Sequence, residues 1–343
     1  MDVQEMTAPE LVDQLLAESL DAQKEAICEL RLRAKRDNEN RACIADAGAI
    51  PLVADYLTSS DSVVQENAVT CLLNLSIIHD CKREIIANSR CLDGIVEAVK
   101  LGKSAETRQN AAATLFSLLI LEEVREYVGS KTDVILALLD LLDSDVARSR
   151  KDAIKALFHL CLCQVNKARV VKAGVVPLLM SFIRNRERLT DSKEGKRCTS
   201  MIGAMVNNSS PLRDVSSSTP VNLTTDYIQD KSQERKRDSI AEDALALLGL
   251  LAGSAEGVDA LMKACAVSLL VELLEPQEYP RCRENATSTL LAMCQTGGDD
   301  VVQEVLQCNF CISALCGVLS SGSSRARSKA GALLQLLMVN DRS

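Results

Sequence analysis

Tryptophan is absent from this chain of 343 residues, and the other aromatic residues are scarce, with four tyrosines and four phenylalanines. Proteins that bind single-stranded nucleic acids without sequence preference stack the bases on aromatic side chains. The chain has too few rings to build such a platform. It also has only two histidines, and histidine is the most frequent general acid or base in catalysis. The composition therefore argues against nucleic-acid stacking and against acid–base chemistry.

Several motifs that would indicate a function are also missing. No glycine-rich string precedes a Lys-Ser or Lys-Thr pair, as it would in a phosphate-binding loop, and no serine stands in the nucleophile pattern of hydrolases. No apolar run reaches the ~18 residues that a membrane-spanning helix needs. The first five residues, Met-Asp-Val-Gln-Glu, lack the basic start and the apolar run of a signal peptide. We therefore expect no enzyme activity, no cofactor and no membrane insertion.

Basic residues are fewer than acidic ones, 39 Lys and Arg against 47 Asp and Glu, so the net charge is −8 and the pI is about 5.1. Residues 184–238 hold 11 Lys and Arg against 8 Asp and Glu, so this stretch is +3 and the remainder is −11. An acidic surface repels phosphate backbones. We expect no nucleic-acid partner, and we expect a partner of basic or mixed charge.

Cysteine, in contrast, is abundant, with 14 residues. Most cysteines stand at apolar positions of helical patterns, for example Cys28, Cys71 and Cys294. Without a signal peptide, we expect a reducing compartment, in which these thiols act as small buried hydrophobic groups. The predicted localisation is therefore the cytoplasm, with the nucleus as an additional compartment.

Seven copies of one short pattern run along the chain. Each copy has an alanine that is followed four residues later by leucine, as in Gln65-Glu-Asn-Ala68-Val-Thr-Cys-Leu72. The repeat alanines are Ala26, Ala68, Ala111, Ala153, Ala244, Ala286 and Ala330. They lie 42, 43, 42, 91, 42 and 44 residues apart. A fixed period in this range predicts a stacked helical solenoid.

Each period contains three helical segments, and the second copy shows them most clearly. A short helix over 40–47 ends at Gly48, because glycine commonly terminates helices. A second helix restarts with Pro51 in its first turn. Residues 58–61 break that helix, and a long helix is predicted over 63–78, with apolar residues on most of its faces. A helix of this kind is typical of a position between neighbouring repeats.

Particular strings make this pattern resemble a known family. Cys71-Leu-Leu-Asn-Leu-Ser76 is followed by Cys81-Lys-Arg-Glu-Ile-Ile86, and Lys151-Asp-Ala-Ile-Lys-Ala-Leu-Phe-His-Leu-Cys161 continues to Asn166-Lys-Ala-Arg169. Three helices per ~42 residues resemble the armadillo repeat, and these strings are similar to the armadillo domain of plant U-box/armadillo ubiquitin ligases. The resemblance implies an all-α fold, a right-handed α-solenoid (superhelix) of about seven armadillo repeats with one long disordered insertion. The predicted repeats span approximately 8–47, 48–91, 92–131, 132–173, 174–263, 264–308 and 309–340.

The predicted insertion, residues 184–238, lies within the fifth repeat. Thirteen of its 55 residues are Ser or Thr, and few are apolar. Ordering a backbone costs about 1–2 kcal/mol per residue, which this composition cannot offset by burial. Arg235-Lys-Arg-Asp-Ser239 follows at its end and makes Ser239 a candidate phosphorylation site, with a soluble basic rim as the alternative.

The resemblance implies a protein–protein interaction scaffold or adaptor. Its partners would be other proteins, namely receptor-like kinases or ubiquitination substrates in plant signalling, and we expect a monomer. No segment of the sequence resembles the U-box that recruits the ubiquitin-conjugating enzyme, so ligase activity is not expected. Two alternatives stay open: a substrate-recognition component of a ubiquitin ligase assembled in trans, and a nuclear transport adaptor.

Armadillo proteins usually bind partners on the concave face lined by their long third helices. Residues four apart on a helix share a face, and this spacing selects positions two and six residues after the repeat alanines. The sequence has one asparagine there and no tryptophan, which disfavours a peptide clamp of the nuclear-import type. The candidate partner-binding residues are Thr70, Asn74, Ser117, Lys155, His159 and Ser288.

Two sets of residues could in principle bind a metal. His159 and Cys163 lie four residues apart, and Cys308, Cys311 and Cys316 contain a Cys-X-X-Cys pair. Zinc needs four ligands, and neither set has a second pair nearby in the sequence. We therefore predict no metal site and interpret both sets as parts of apolar helices.

Overall fold

The computed structural model describes residues 6–184, 240–275 and 280–340. Within these ranges the regular elements are helices, and no strand is formed. The predicted all-α class is therefore confirmed. The chain divides into two compact units, Met1–Val175 and Val176–Ser343.

The first unit is built from short helices that alternate with longer ones. Two 3-10 turns, Ala54–Tyr56 and Glu122–Val124, interrupt the α-helices. The α-helices described in this unit are α1 (Ala8–Leu15), α2 (Leu20–Arg36), α3 (Asn38–Asp46), α4 (Ala49–Val53), α5 (Ser62–Leu75), α6 (His79–Ala87), α7 (Ser89–Leu101), α8 (Ala105–Leu118), α9 (Arg125–Ser130), α10 (Thr132–Asp143), α11 (Ala147–Cys161) and α12 (Gln164–Lys172).

The second unit continues the same alternation. Its described helices are α13 (Val175–Arg184), α14 (240–251), α15 (Ala255–Lys263), α16 (Ala266–Glu272), α17 (Pro280–Gln307), α18 (Cys311–Ser321) and α19 (Ser324–Asn340). Helix α17 is interrupted at Gly298, whose φ of 64° and ψ of −148° are not helical. This position therefore separates two helical segments.

The repeat alanines form the centre of the packing. All seven alanines are fully buried. The leucines four residues after them are also buried, with Leu334 the most exposed at 7%. In the first unit, the long helices α2, α5, α8 and α11 pack each against the next. An alanine side chain lets two helices approach closely without creating a cavity. The sequence pattern thus marks the contact line between consecutive long helices.

The residue three positions before each repeat alanine, here named the latch residue, ties its long helix to the helix before it. In four copies its side chain donates a hydrogen bond to the carbonyl just beyond the end of the preceding helix, which has no helical partner of its own. The bonds run from Gln23 to Ala17 (2.7 Å), from Gln65 to Leu57 (2.8 Å), from Arg150 to Ser144 and from Arg283 to Leu274. Arg108 instead pairs with Asp140 at 3.0 Å, and Ala241 holds this position in α14.

The turns that lead into α4, α13, α16 and α18 share one backbone conformation. The residue before each helix has a positive φ: 77° at Gly48, 93° at Gly174, 51° at Cys265 and 73° at Phe310. A left-handed conformation costs about 1–2 kcal/mol for a residue with a Cβ atom. The turn at Gly48 is the one predicted from the sequence, whereas Cys265 and Phe310 are strained.

Three sequence predictions need correction or fall outside the structure. The long helix predicted over 63–78 ends at Leu75, because the amide of Ile77 bonds to the carbonyl of Asn74 and tightens the chain into a turn. Of the cysteines named as examples of buried groups, Cys71 and Cys294 are buried and Cys28 is only half-buried, whereas Cys43, Cys265 and Cys316 are exposed. The insertion, apart from Arg184, and Ser239 lie outside the described residues, and the repeat boundaries stay a prediction.

Candidate protein-binding surface

Five of the six predicted partner-binding residues lie on one side of the first unit. Thr70 and Asn74 are on α5, Ser117 is on α8, and Lys155 and His159 are on α11; all five are half-buried. We name the side of α5, α8 and α11 that carries them the long-helix face. Ser288, the sixth, is half-buried on α17 in the second unit.

Hydrogen bonds between the long helices occupy several of these polar groups. Asn74 Nδ2 donates to the carbonyl of Arg31 on α2 at 3.3 Å, and Ser117 Oγ donates to the carbonyl of Ser76 just after α5 at 2.9 Å. Each residue therefore holds its own helix to the preceding long helix. Asn74 and Ser117 were predicted as partner-binding residues. In the structure they are half-buried, and their side chains also hold neighbouring helices together.

Asn110 extends this network from α5 to α11. Its Nδ2 donates to Thr70 Oγ1 at 3.0 Å, and its Oδ1 accepts a bond from Arg148 Nη2 at 3.4 Å. These contacts show that α5, α8 and α11 lie side by side in the same register. Residues 42 or 43 apart in the sequence are therefore neighbours on the long-helix face.

A cluster of rings and one cation lies where α8 meets α11. The ring of His159 packs edge-on against Phe116, with centroids 5.2 Å apart, and against Phe158, at 6.0 Å. Lys155 Nζ lies 5.4 Å from the centre of the Phe116 ring, within the range of a cation–π interaction. The structure thus brings the predicted residues Lys155 and His159 together through Phe116, which the sequence analysis did not select.

His159 is neutral at pH 7 in this environment. Burial and the positive charge of Arg125 lower the pKa of His159 below its ordinary value of 6.5, although a bond at the Leu119 backbone opposes the shift. Its Nδ1 is buried and has no hydrogen-bond partner. The histidine therefore adds apolar area to the face rather than charge.

Charge enters the face through α11. Arg148 Nε lies 3.7 Å from Asp152 Oδ2. Burial raises the pKa of Asp152, while the charges of Arg148 and Lys155 oppose the shift. The Lys155 ammonium lies over the Phe116 ring, and a ring does not neutralise its charge. This charge can therefore pair with a carboxylate of a bound protein.

A row of exposed aliphatic residues, not selected from the sequence, borders this cluster. Ile77, Ile120 and Leu162 follow directly after α5, α8 and α11 and are 56%, 48% and 42% exposed. Each stands nine residues after its repeat alanine. Because the three helices share one register, we call these three residues the aliphatic row. Their spacing was visible in the sequence, and only the exposure was missing.

The sets considered for metal binding have different environments. His159 packs between two phenylalanines, as described above. Burial raises the pKa of the Cys311 thiol to about 11, and burial together with the charges of Glu304 and Glu272 raises that of Cys308, which disfavours the thiolate that a metal requires. Among the residues that the structure describes, no three His, Cys, Asp or Glu side chains are grouped to hold a metal ion.

In the described ranges, no single helix combines the length and the apolar character needed to cross a bilayer. Helices α17 and α18 reach that length and composition only when taken together, and they are bent by 92° relative to each other.

Comparison with known proteins gives consistent relatives. A family model described as the plant U-box protein ARM repeat region matches residues 9–201. U-box domain-containing protein 1 of Medicago truncatula is 34% identical over 337 residues, which cover 98% of this chain and 41% of that protein. U-box domain-containing protein 16 of Arabidopsis thaliana is 30% identical over 311 residues, covering 91% of this chain and 38% of that protein. The chain thus spans about 40% of the length of these relatives.

Two of the solved structures with a similar fold are engineered proteins. The crystal structure of one engineered protein aligns with 84% of this chain and 96% of its own, with a TM-score of 0.60 and 20% sequence identity. A designed armadillo repeat protein aligns with 96% of this chain, with a TM-score of 0.46 and 17% identity. The family match confirms the predicted armadillo-repeat fold.

Proposed function

Because this chain belongs to the family of plant U-box protein ARM repeat regions, we propose that it is a scaffold that binds partner proteins on its long-helix face. The observation that carries this proposal is the aliphatic row beside the Phe116 cluster. Single exposed aliphatic residues are ordinary on protein surfaces. Three of them at equivalent positions of consecutive repeats, next to two half-buried phenylalanines, indicate a surface that is covered by another protein.

The chemistry of the face defines what it would bind. Aliphatic or aromatic side chains of the partner would cover Ile77, Ile120 and Leu162, and burial of such groups provides most of the binding free energy at interfaces. A carboxylate of the partner beside the row would pair with Lys155. Asn74 and Ser117 would contribute less, because their donors already bond to backbone carbonyls.

The test compares two triple variants in affinity capture from plant extract, with bound proteins quantified by mass spectrometry. Ile77→Ser combined with Ile120→Ser and Leu162→Ser should reduce capture of the specific partners at least about tenfold, because burying one Ile or Leu side chain contributes about 1.5–3 kcal/mol and the triple variant loses three. The control replaces Leu101, Leu136 and Val146, which are equally exposed elsewhere on the first unit. Partners that survive the row variant, or that both variants lose equally, would contradict the proposal.

We further propose that the scaffold acts in plant ubiquitin or receptor-like kinase signalling, as an adaptor in the cytoplasm and the nucleus. Support comes from the relatives, whose names contain the U-box domain. The competing function is a substrate-recognition component of a ligase assembled in trans. A reconstituted ubiquitin-transfer reaction separates the two, because only the competing function predicts that adding the chain to a U-box ligase increases transfer to a captured partner.

The nuclear transport alternative has its own test. A transport adaptor would bind a basic peptide, and the affinity would fall steeply with salt because the contacts are between charges. Fluorescence anisotropy with a labelled lysine-rich peptide measures this dependence. A salt-independent or undetectable interaction removes the alternative.

A further inference from the structure

Helix α18 in the second unit has apolar side chains on two opposite sides. Cys311, Ala314, Leu315 and Val318 are buried. On the other side, Ile312 and Leu319 are exposed large hydrophobic residues, and Cys316 is exposed between them. These three stand at positions i, i+4 and i+7, so they share one face of the helix. We name Ile312, Cys316 and Leu319, together with Phe310, the outer face of α18.

Phe310 adds an anchor to this face. Its side chain is 79% exposed, and its φ of 73° places a residue with a Cβ atom in the left-handed region. The corresponding turns before α4 and α13 have glycine at this position. Cys265 before α16 is strained in the same way, but it does not expose a ring. The strain at Phe310 costs stability, and a ring that is 79% exposed regains little of it by burial. Such an outlier indicates a role in binding.

The outer face lies in the middle of a charge-free stretch. Residues 305–324 contain no Asp, Glu, Lys, Arg or His, although a quarter of the whole chain is charged. An acidic or basic partner would be matched by opposite charges around the apolar residues, and none is present in this stretch. Two copies of the chain, each with a net charge of −8, repel each other wherever they present acidic groups. Helix α18 carries no charged side chain of its own, and the guanidinium of Arg283, which donates to Ser321, is buried beneath it. Two copies can therefore meet at this helix without bringing acidic groups of the helix together.

The residue order on α18 also suits a symmetric contact. In a two-fold interface, if residue i of one copy contacts residue j of the other, then residue j of the first copy contacts residue i of the second. When two α18 helices pack antiparallel, Ile312 of one copy faces Leu319 of the other, and Cys316 lies near the axis. Ser313, Gly317 and Ser320 are small residues beside this line, which allows the two helices to approach closely.

We propose that the chain forms a homodimer through the outer face of α18, with two α18 helices packed antiparallel about a two-fold axis. This contact goes beyond the scaffold function and uses residues of the second unit alone. Phe310 of each copy lies at the ends of the helix pair, where it covers the apolar residues of the other copy.

Sedimentation velocity over a concentration series from about 1 to 100 µM tests the association directly, because most specific dimers of modest area dissociate in this range. The wild-type chain should shift from monomer to dimer. Leu319→Glu should raise the dimer dissociation constant at least about tenfold by placing charge in the contact. Leu136→Glu, at an exposed leucine of α10, is the matched control and should leave it within about twofold.

Thiol cross-linking tests the geometry without changing the apolar residues. In a background where the other exposed cysteines, Cys43 and Cys265, and also Cys198 are serine, diamide should join two Cys316 thiols into a disulfide. The two thiols lose two protons and two electrons, and diamide is reduced to the hydrazine. A covalent dimer on non-reducing gels that Cys316→Ser abolishes supports the antiparallel pair. A chain that stays monomeric at every concentration and gives no Cys316-dependent cross-link overturns the proposal, even if the face proves to bind another protein.

Discussion

At the scale of single residues, Asp152 places a carboxylate where three of the seven copies have an amide. The same position, one residue before the repeat alanine, is asparagine at Asn67, Asn110 and Asn285, and aspartate again at Asp243. Asn285 Nδ2 donates to the carbonyl of Glu242 at 3.0 Å, whereas Asp152 Oδ2 is buried, with Arg148 Nε 3.7 Å away. Burial raises the pKa of Asp152, so the ionised carboxylate destabilises the folded state at neutral pH.

Asp152→Asn should therefore stabilise the chain by about 1 kcal/mol at pH 7, as substitutions toward the common residue of a repeat often do. The folded state holds the Asp152 proton more tightly than the unfolded state, so native stability from this group falls as pH rises through its raised pKa. The advantage of asparagine should shrink as the pH is lowered toward the ordinary value of 3.8. Urea denaturation at several pH values measures it.

Glu123→Gln is the control for this change, because Glu123 is an exposed carboxylate in the turn Glu122–Val124. Its stability should stay within about 0.5 kcal/mol of the wild type, as is usual for surface substitutions. A neutral or destabilising effect of Asp152→Asn at pH 7 would show that Arg148 and Lys155 compensate the buried charge.

The partner-binding residues show what single positions reveal in the sequence. Spacing from the repeat alanine correctly predicted that Asn74, Ser117 and His159 would occupy corresponding places on consecutive helices. It did not predict that Asn74 and Ser117 donate to backbone carbonyls of the preceding helix, because a periodic pattern does not say which hydrogen bonds are already made. The aliphatic row was missed for a related reason: an aliphatic residue near a helix end is usually buried, and only the structure shows its exposure.

At the scale of helices, the latch bonds give a reason for the Gln or Arg that begins four copies of the repeat. Gln65 is the most constrained of them. It is buried, its Nε2 donates to the carbonyl of Leu57 at 2.8 Å, and its Oε1 accepts from the amide of Lys103 at 3.0 Å. One side chain thus satisfies backbone groups of two different connections.

Gln65→Ala should destabilise the chain by about 3 kcal/mol, because two buried backbone groups lose their partners. Gln23→Ala is the matched comparison and should cost about 1 kcal/mol, since Gln23 is only half-buried and its side chain donates to the carbonyl of Ala17. Denaturant midpoints at unchanged m-values measure both. Equal effects of the two substitutions would mean that the contact with Lys103 adds nothing.

The left-handed turns give a second prediction for helix ends. Gly48→Ala should destabilise by about 1 kcal/mol, because a Cβ atom is strained at a φ of 77°. No atom lies within 4 Å of the added group, so strain in the backbone is the sole cause. Gly331→Ala, inside α19 and in ordinary contact with Leu319 at 3.9 Å, should stabilise by about 0.5–1 kcal/mol. Thermal melts of both variants against the wild type test the opposite signs.

At the scale of the whole chain, the seven alanines predicted the helical fold because a fixed period requires one structural unit to recur. The division between Val175 and Val176 had no counterpart in that reasoning, since the repeat pattern continues across it through Gly174 and Pro177. A periodic sequence shows which contacts recur. It does not show at which point along the chain neighbouring repeats make fewer contacts with each other.

The sequence-based prediction for residues 184–238 is tested on the full chain. Deleting residues 185–238 should increase the mean helicity per residue by about one fifth, because the removed segment has the composition of a non-helical chain. Far-UV circular dichroism measures the change, and a thermal melt serves as the control for folding. A loss of helicity or a lower melting temperature would show that the segment contributes structure.

The alanine at position 241 has a consequence for how such a chain lengthens during evolution. In most repeats a latch residue bonds the long helix to the end of the preceding helix. Residues inserted between these two helices would have to leave that hydrogen bond intact. Helix α14 has alanine at the latch position, Ala241, so it has no side chain to form this bond, and 55 residues separate it from α13. By polymer statistics, extending a connection from a few residues to this length costs only about 2 kcal/mol. New sequence can therefore accumulate at this joint under weak selection while the adjoining repeats stay intact.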